Sequence, residues 1–169
     1  VHRRENWGKP LVQIAESILK ISNQHQKLKF IIPLHKNPLV RDPLIKLLGD
    51  SINIFLVDNL PYLKFINLLK NAKFVLTDSG GIQEEAAILG KPTLILRNNT
   101  ERPEVLYEGN AFLVGTEEKN IIAEVNSLLT DRKKYQSMTI QNKSFGDGKA
   151  SQLILEKTIE FLENYTEKK

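Results

Sequence analysis

The stretch Val75-Leu76-Thr77-Asp78-Ser79-Gly80-Gly81-Ile82-Gln83-Glu84-Glu85-Ala86 joins an apolar, β-prone run to a helical pattern through Ser-Gly-Gly. Such a junction turns the first free N–H groups of a helix, and the positive end of its macrodipole, toward an anion, and glycines let backbone come close to it. A phosphate suits that chemistry. A capped strand-to-helix turn with no ligand is the other reading of the same residues. If the helix starts near Gly81, then Ile82, Ala86 and Leu89 form its buried stripe, Glu85 lies at the edge of that stripe and Glu84 points to solvent. Two carboxylates in a first turn suit the dipole. A half-buried carboxylate beside a phosphate site also accepts hydrogen bonds from sugar hydroxyls, which makes Glu85 the ribose candidate.

The elements that must position these residues alternate along the chain. Leu28 to Leu34, Ile52 to Val57, Lys73 to Thr77, Thr93 to Arg97 and Ala111 to Val114 read as short buried strands. Pro10 to Asn23, Pro43 to Leu48, Tyr62 to Asn71, Ile82 to Leu89, Glu117 to Leu129 and Ser151 to Asn164 read as helices, with Pro43 suited to a first turn and Gly90 to a stop. This alternation predicts a doubly wound α/β domain with a mostly parallel, Rossmann-like sheet, whose ligands bind beyond the carboxyl ends of the strands. The segments at that edge are His35-Lys36-Asn37-Pro38, Asp58-Asn59, Asp78-Ser79-Gly80-Gly81 and Arg97 to Glu104. His2-Arg3-Arg4-Glu5-Asn6 shares the edge if a strand precedes Val1. The start at Val1 rather than Met carries the expectation of a chain cut from something longer.

With 169 residues, 41% of them hydrophobic, the chain is expected to bury one core, as a single domain over residues 1–169. The absence of cysteine excludes disulfides, thiol nucleophiles, iron–sulfur clusters and cysteine zinc sites, and fits a reducing compartment, so the cytoplasm is the expected location. No apolar run approaches the roughly 20 residues of a membrane helix, and no leader pattern is present. The net charge of +4 is dispersed, which argues for a small anionic ligand and against nucleic acid or membrane. Arg132-Lys133-Lys134 and Lys168-Lys169 read as solvated helix faces and a frayed tail. His25 and His35 read first as surface histidines; no metal-motif spacing occurs, and neither a metal nor a cofactor is expected. A triad of Ser79, His2 and Asp78 is rejected, because Ser79 lacks the Gly-x-Ser-x-Gly elbow.

Several motifs in order resemble the non-hydrolysing UDP-N-acetylglucosamine 2-epimerases. They are His2-Arg3-Arg4-Glu5-Asn6, Pro33-Leu34-His35-Lys36-Asn37-Pro38, the Thr77 to Ala86 run, Leu89-Gly90-Lys91-Pro92, Thr100-Glu101-Arg102-Pro103-Glu104, Leu113-Val114-Gly115-Thr116 and Phe145-Gly146-Asp147-Gly148-Lys149-Ala150-Ser151. The resemblance implies the second of two Rossmann-like domains, as in the GT-B glycosyltransferases, with the first domain absent. It implies interconversion of UDP-N-acetylglucosamine and UDP-N-acetylmannosamine for bacterial surface polysaccharides. The C2 proton is removed, UDP is eliminated to leave 2-acetamidoglucal, and readdition returns a proton to the other face.

By the same resemblance Ser79, Gly80 and Gly81 hold the diphosphate, Glu85 the ribose and Arg102 the nucleotide sugar. Phe65 stands near the uracil or, read from its helix alone, in the core; Leu60 stands where some members carry a polar uracil contact. His2 matches the active-site histidine that assists departure of UDP or shuttles a proton, with Arg3 and Glu5 holding its loop. His35, supported by Arg41, matches an allosteric segment. The Phe145 to Gly148 loop either closes over the cleft or serves the turn into the last helix, and Lys143-Ser144-Phe145 stands where Asn-Pro-Tyr is common. The whole enzyme is expected to be a homodimer with no cofactor. A hydrolysing epimerase, the donor half of a GT-B glycosyltransferase and a non-catalytic nucleotide sensor are the alternatives.

Overall fold

The computed structural model describes residues 1–141 and 144–166. Lys143 of the last-loop motif and the Lys168-Lys169 tail lie outside the described residues. The chain opens with a 3₁₀ turn at Arg4–Asn6 and then alternates as expected. It runs through α1 (Lys9–Gln24), β1 (Phe30–Pro33), α2 (Pro38–Leu48), β2 (Ile54–Val57), α3 (Tyr62–Asn71), β3 (Val75–Thr77), α4 (Gly80–Ile88), β4 (Thr93–Ile95), α5 (Glu104–Tyr107), β5 (Ala111–Leu113), α6 (Glu118–Thr130), α7 (Arg132–Ser137) and α8 (Ala150–Thr166). Every ladder is parallel, so the loops that leave the strands share one edge.

Among the described residues the strands form two sheets rather than one continuous sheet. β1 pairs with β2, Phe30 opposite Ile54, and β4 sits between β3 and β5, with Thr93 opposite both Val75 and Ala111. One apolar cluster spans both sheets. Leu11, Ile14, Ile18 and Ile21 of α1 pack in it with Val40, Leu44 and Leu48 of α2, Ile121, Val125 and Leu128 of α6, and Leu94 and Leu96 beside β4. Their three- and four-residue spacings give each helix one apolar stripe. A smaller cluster of Ala87, Ile95, Val105 and Ala111 seals the other face of β4, so helices cover both sides of that sheet, as a doubly wound fold requires.

Three local expectations change. Helix α2 begins at Pro38, five residues before Pro43, because the Asn37 side chain caps it by accepting from the Leu39 N–H at 3.0 Å. Pro43 therefore lies inside the helix. The buried face of α4 is Gly80, Gln83, Ala86 and Ala87, with Ile82 and Leu89 only half-buried. In the Arg132-Lys133-Lys134 run, Lys134 is not solvated: its Nζ pairs with Glu124 at 2.6 Å, and Asp131 caps α7. No helix among the described residues is long and apolar enough to cross a membrane.

Candidate functional site

Strand β3 ends at Thr77, and α4 starts three residues later with Ser79 at its N-cap in extended backbone. The Thr77 hydroxyl accepts the Ser79 N–H at 3.1 Å, which tightens the turn. The N–H groups of Gly80, Gly81 and Ile82 have no acceptor among the described residues, as expected of a helix's first turn. Neither Gly80 nor Gly81 has a left-handed φ. A Cβ on Gly81 would meet nothing within 4 Å, and one on Gly80 only Arg3 Nη2 at 3.6 Å, an ordinary contact. Folding alone does not demand glycine here. What the missing Cβ atoms leave is room for an approaching ligand.

Asp78, fully buried before that loop, gathers the N-terminal segment. Its Oδ2 accepts from the backbone N–H of His2 at 2.9 Å, the N–H of Arg3 at 2.8 Å and Asn6 Nδ2 at 3.0 Å. Its Oδ1 lies 3.3 Å from His2 Nδ1. Burial would raise the Asp78 pKa, but the Val1 ammonium and these N–H donors prevail and hold it below the ordinary carboxylate value. The Trp7 indole N–H donates to the His2 carbonyl at 3.1 Å, fixing the loop from its far side. The His2 ring stacks on His35, centroids 5.8 Å apart and planes 19° from parallel. Residues expected to serve the active site and an allosteric pocket beside it are thus in contact. His35 Nδ1 accepts the Asn37 N–H at 3.1 Å. Arg41 instead reaches Asp58, at 2.8 Å.

Arginines crowd the same edge. Arg97, nearly fully buried, pairs with Glu5 at 2.6 Å and Glu101 at 3.2 Å, so Glu5 does hold the loop. Arg3 Nη2 reaches Glu101 at 3.4 Å, and the same nitrogen is the atom nearest to where a Cβ on Gly80 would stand. Arg102 Nε pairs with Glu84, a correction to the reading of Glu84 as a solvent-facing carboxylate. The Thr100 hydroxyl donates to Gln83 Oε1 at 2.6 Å and accepts the Arg102 N–H at 3.1 Å, which pins the Arg102 segment to α4. Glu85 is half-buried, and the exposed Tyr62 hydroxyl bonds to it, which raises the Tyr62 pKa. Phe65 is half-buried and belongs to neither apolar cluster, which disfavours its reading as a core residue.

A cavity of about 260 Å³ beside Arg97 is lined by Asn98, Gly115, Thr116 and Asn120 at the ends of β4 and β5. A larger groove of about 870 Å³ lies at the opposite edge, around His25 and Lys73, and shares no residue with the site. In the last loop Gly146 and Gly148 are left-handed, with φ of 85° and 87°, and Phe145 packs on the smaller cluster, so these glycines serve the turn. No group of three or more His, Asp or Glu among the described residues is arranged to hold a metal.

Sequence reasoning named Asp78, Asn6, Arg97, Gln83 and Thr100 only within motifs, edge segments or a rejected triad and gave none of them a structural role; all but Thr100 are buried. A buried carboxylate or guanidinium at the end of a strand must find partners, and those partners lie up to 92 residues away.

Comparison with known proteins gives the family. The family model for UDP-N-acetylglucosamine 2-epimerase matches residues 1–159. The UDP-N-acetylglucosamine 2-epimerase of Escherichia coli K12 is 44% identical over 155 residues, 92% of this chain and 41% of that protein. The enzyme of that name from Bacillus subtilis is 42% identical over 158 residues, 94% of this chain and 42% of its own. The Neisseria meningitidis UDP-GlcNAc 2-epimerase bound to UDP-GlcNAc superposes with a TM-score of 0.91 at 42% identity, covering 94% of this chain and 43% of that one. A S. aureus MnaA–UDP structure also scores 0.91, at 39% identity, covering 96% and 44%. This chain spans about two-fifths of these relatives' length. A match running in order through the histidine segment, the Ser-Gly-Gly turn and the Arg102 segment leaves one assignment: the chain belongs to the UDP-N-acetylglucosamine 2-epimerase family.

Proposed function

We propose that these residues form the UDP-holding half of a two-domain, non-hydrolysing UDP-N-acetylglucosamine 2-epimerase that interconverts UDP-N-acetylglucosamine and UDP-N-acetylmannosamine for surface polysaccharide precursors in the bacterial cytoplasm. One observation carries the reading: the unpaired N–H groups at the start of α4 lie on the edge where His2, Arg3 and Arg102 converge. That edge suits a diphosphate that gains charge as the glycosidic C–O bond breaks.

Ser79, Gly80 and Gly81 hold the diphosphate, and the Arg102 fork neutralises it, exchanging Glu84 for phosphate oxygens. Glu85 accepts the ribose hydroxyls and Phe65 stacks on uracil. His2 passes a proton to the departing UDP and recovers it on readdition. The C2 proton is exchanged by carboxylates of the first domain. His35 and Arg41 form the part of an allosteric pocket that borders the active site. The bound structures of relatives, titled as holding UDP-GlcNAc or UDP, support the ligand class.

Calorimetric titration with UDP tests the site. Saturable binding is expected, weakened roughly 10- to 100-fold by Glu85→Ala and at least about 10-fold by Arg102→Ala, the loss of charge-assisted hydrogen bonds. Binding unchanged in both variants overturns the assignment. Product analysis of the full-length enzyme separates epimerisation from release of free N-acetylmannosamine.

A further inference from the structure

The geometry points to Asp78 as the positioning residue of His2: its carboxylate faces the Nδ1–H of the imidazole, so that the imidazolium gives its Nε2 proton to the departing diphosphate and the neutral ring, left with a bare Nε2, takes it back on readdition. This deepens the proposed function and rests on its assignment of His2.

Asp78 is completely buried, and its Oδ2 is occupied by three N–H donors, from His2, Arg3 and Asn6. Oδ1 faces the His2 backbone N–H at 3.1 Å and His2 Nδ1 at 3.3 Å. An ionised carboxylate only accepts hydrogen bonds, so the ring nitrogen facing it carries the proton. One ring face is covered by His35, whose own Nδ1 accepts the Asn37 N–H. The stack on that face and the carboxylate at the Nδ1 edge both act on the orientation of the imidazole. Asp78 directly precedes Ser79-Gly80-Gly81, so one turn carries both the carboxylate that faces His2 and the proposed phosphate loop.

The charged groups facing His2 are Asp78, His35, Arg3 and, in this chain, the N-terminal ammonium of Val1, which is a peptide nitrogen where a first domain precedes it. Burial, His35 and Arg3 disfavour imidazolium, while Asp78 favours it. Removing the carboxylate should therefore lower the His2 pKa further and free the ring to adopt the other tautomer.

The test uses the full-length enzyme with ¹⁵N-labelled histidine. Near pH 7.5 the His2 spectrum should report a protonated Nδ1 and a bare Nε2; the reverse tautomer overturns the proposal. Asp78→Asn should lower kcat by roughly 10²-fold or more, the range of a lost general acid–base contribution. It should leave KM and UDP binding within about threefold and move the alkaline limb of the pH–rate profile, where the imidazolium is lost, to lower pH. Combined with His2→Gln it should add no further loss, because residues acting as one unit are not additive. A kcat within threefold of the parent, or losses that multiply, overturns it. If Asp78→Asn does not fold, the parent tautomer spectrum decides alone. A parent that fails to bind UDP sinks the reading of the site, while the tautomer still tests the role of Asp78.

Discussion

His2 titrates below its ordinary value of 6.5 because burial disfavours the imidazolium, with Asp78 only partly opposing it. The folded state therefore takes up the proton at lower pH than the unfolded chain does. Between those two pKa values the unfolded chain binds more protons, so stability rises with pH there. Full stability from this group is present above about pH 6.5 and is lost as pH falls toward the folded pKa. Asp78, also lowered, acts in a separate and more acid window: its contribution is present above the ordinary carboxylate value and lost as pH falls through the folded pKa. Thermal melts should thus decline in two stages on acidification, and His2→Gln should remove the first and leave the second. A single carboxylate-range decline in the parent would contradict the His2 assignment. None of this pairing was legible in the sequence. His2 and Asp78 are 76 positions apart, and the triad in which they first stood together failed on its serine, although two of its members do meet.

The start and end of α4 use glycine for opposite reasons, and substitution separates them. Gly81 has ordinary φ and open space around its missing Cβ, so Gly81→Ala should leave stability unchanged or raise it by up to about 1 kcal/mol, while weakening UDP binding. Gly90 has φ 63°, and a Cβ there would lie 2.7 Å from the Thr139 carbonyl oxygen. Gly90→Ala should cost about 2 kcal/mol or more, a fall in Tm of roughly 4–8 °C. Paired melting and titration curves check both; a destabilised Gly81→Ala variant with full affinity would make that glycine a packing residue. The sequence marked both ends of α4 because glycine punctuates chains visibly. It did not reveal α5 or α7, at four and six residues too short for a periodic stripe, and it put the start of α2 at Pro43 because a proline in a first turn is a stronger local signal than an Asn37 side chain acting as cap. Glu84 was misread for a related reason: helix periodicity gives the face, but the partner Arg102 comes from another loop.

At the scale of the molecule, the order of motifs fixed the family and the parallel α/β class, because each strand-to-loop junction carries its own polar residues. The division into two sheets was not legible, since apolar runs do not state which edges pair. This architecture sets what the chain can do unaided. It presents a preformed edge with N–H donors and flanking arginines, which binding a nucleotide requires. Among the described residues no carboxylate faces this edge from a second wall, and the site is open: His2 is 40% exposed and Arg102 39%. Proton exchange at C2 on both faces needs groups on opposite sides of the sugar within about 3 Å of their targets, in a cleft that excludes water. Each missing acid–base group is worth about 10²–10⁴ in rate, and solvent weakens the electrostatic stabilisation of the leaving diphosphate. These 169 residues should therefore bind UDP weakly and turn over no UDP-N-acetylglucosamine. Incubation at saturating substrate, followed by NMR of the anomeric protons and of C2 deuterium uptake from D₂O, measures both epimerisation and proton exchange. Deuterium uptake without the first domain would mean that a base on this half reaches C2, and would move the proton chemistry to His2.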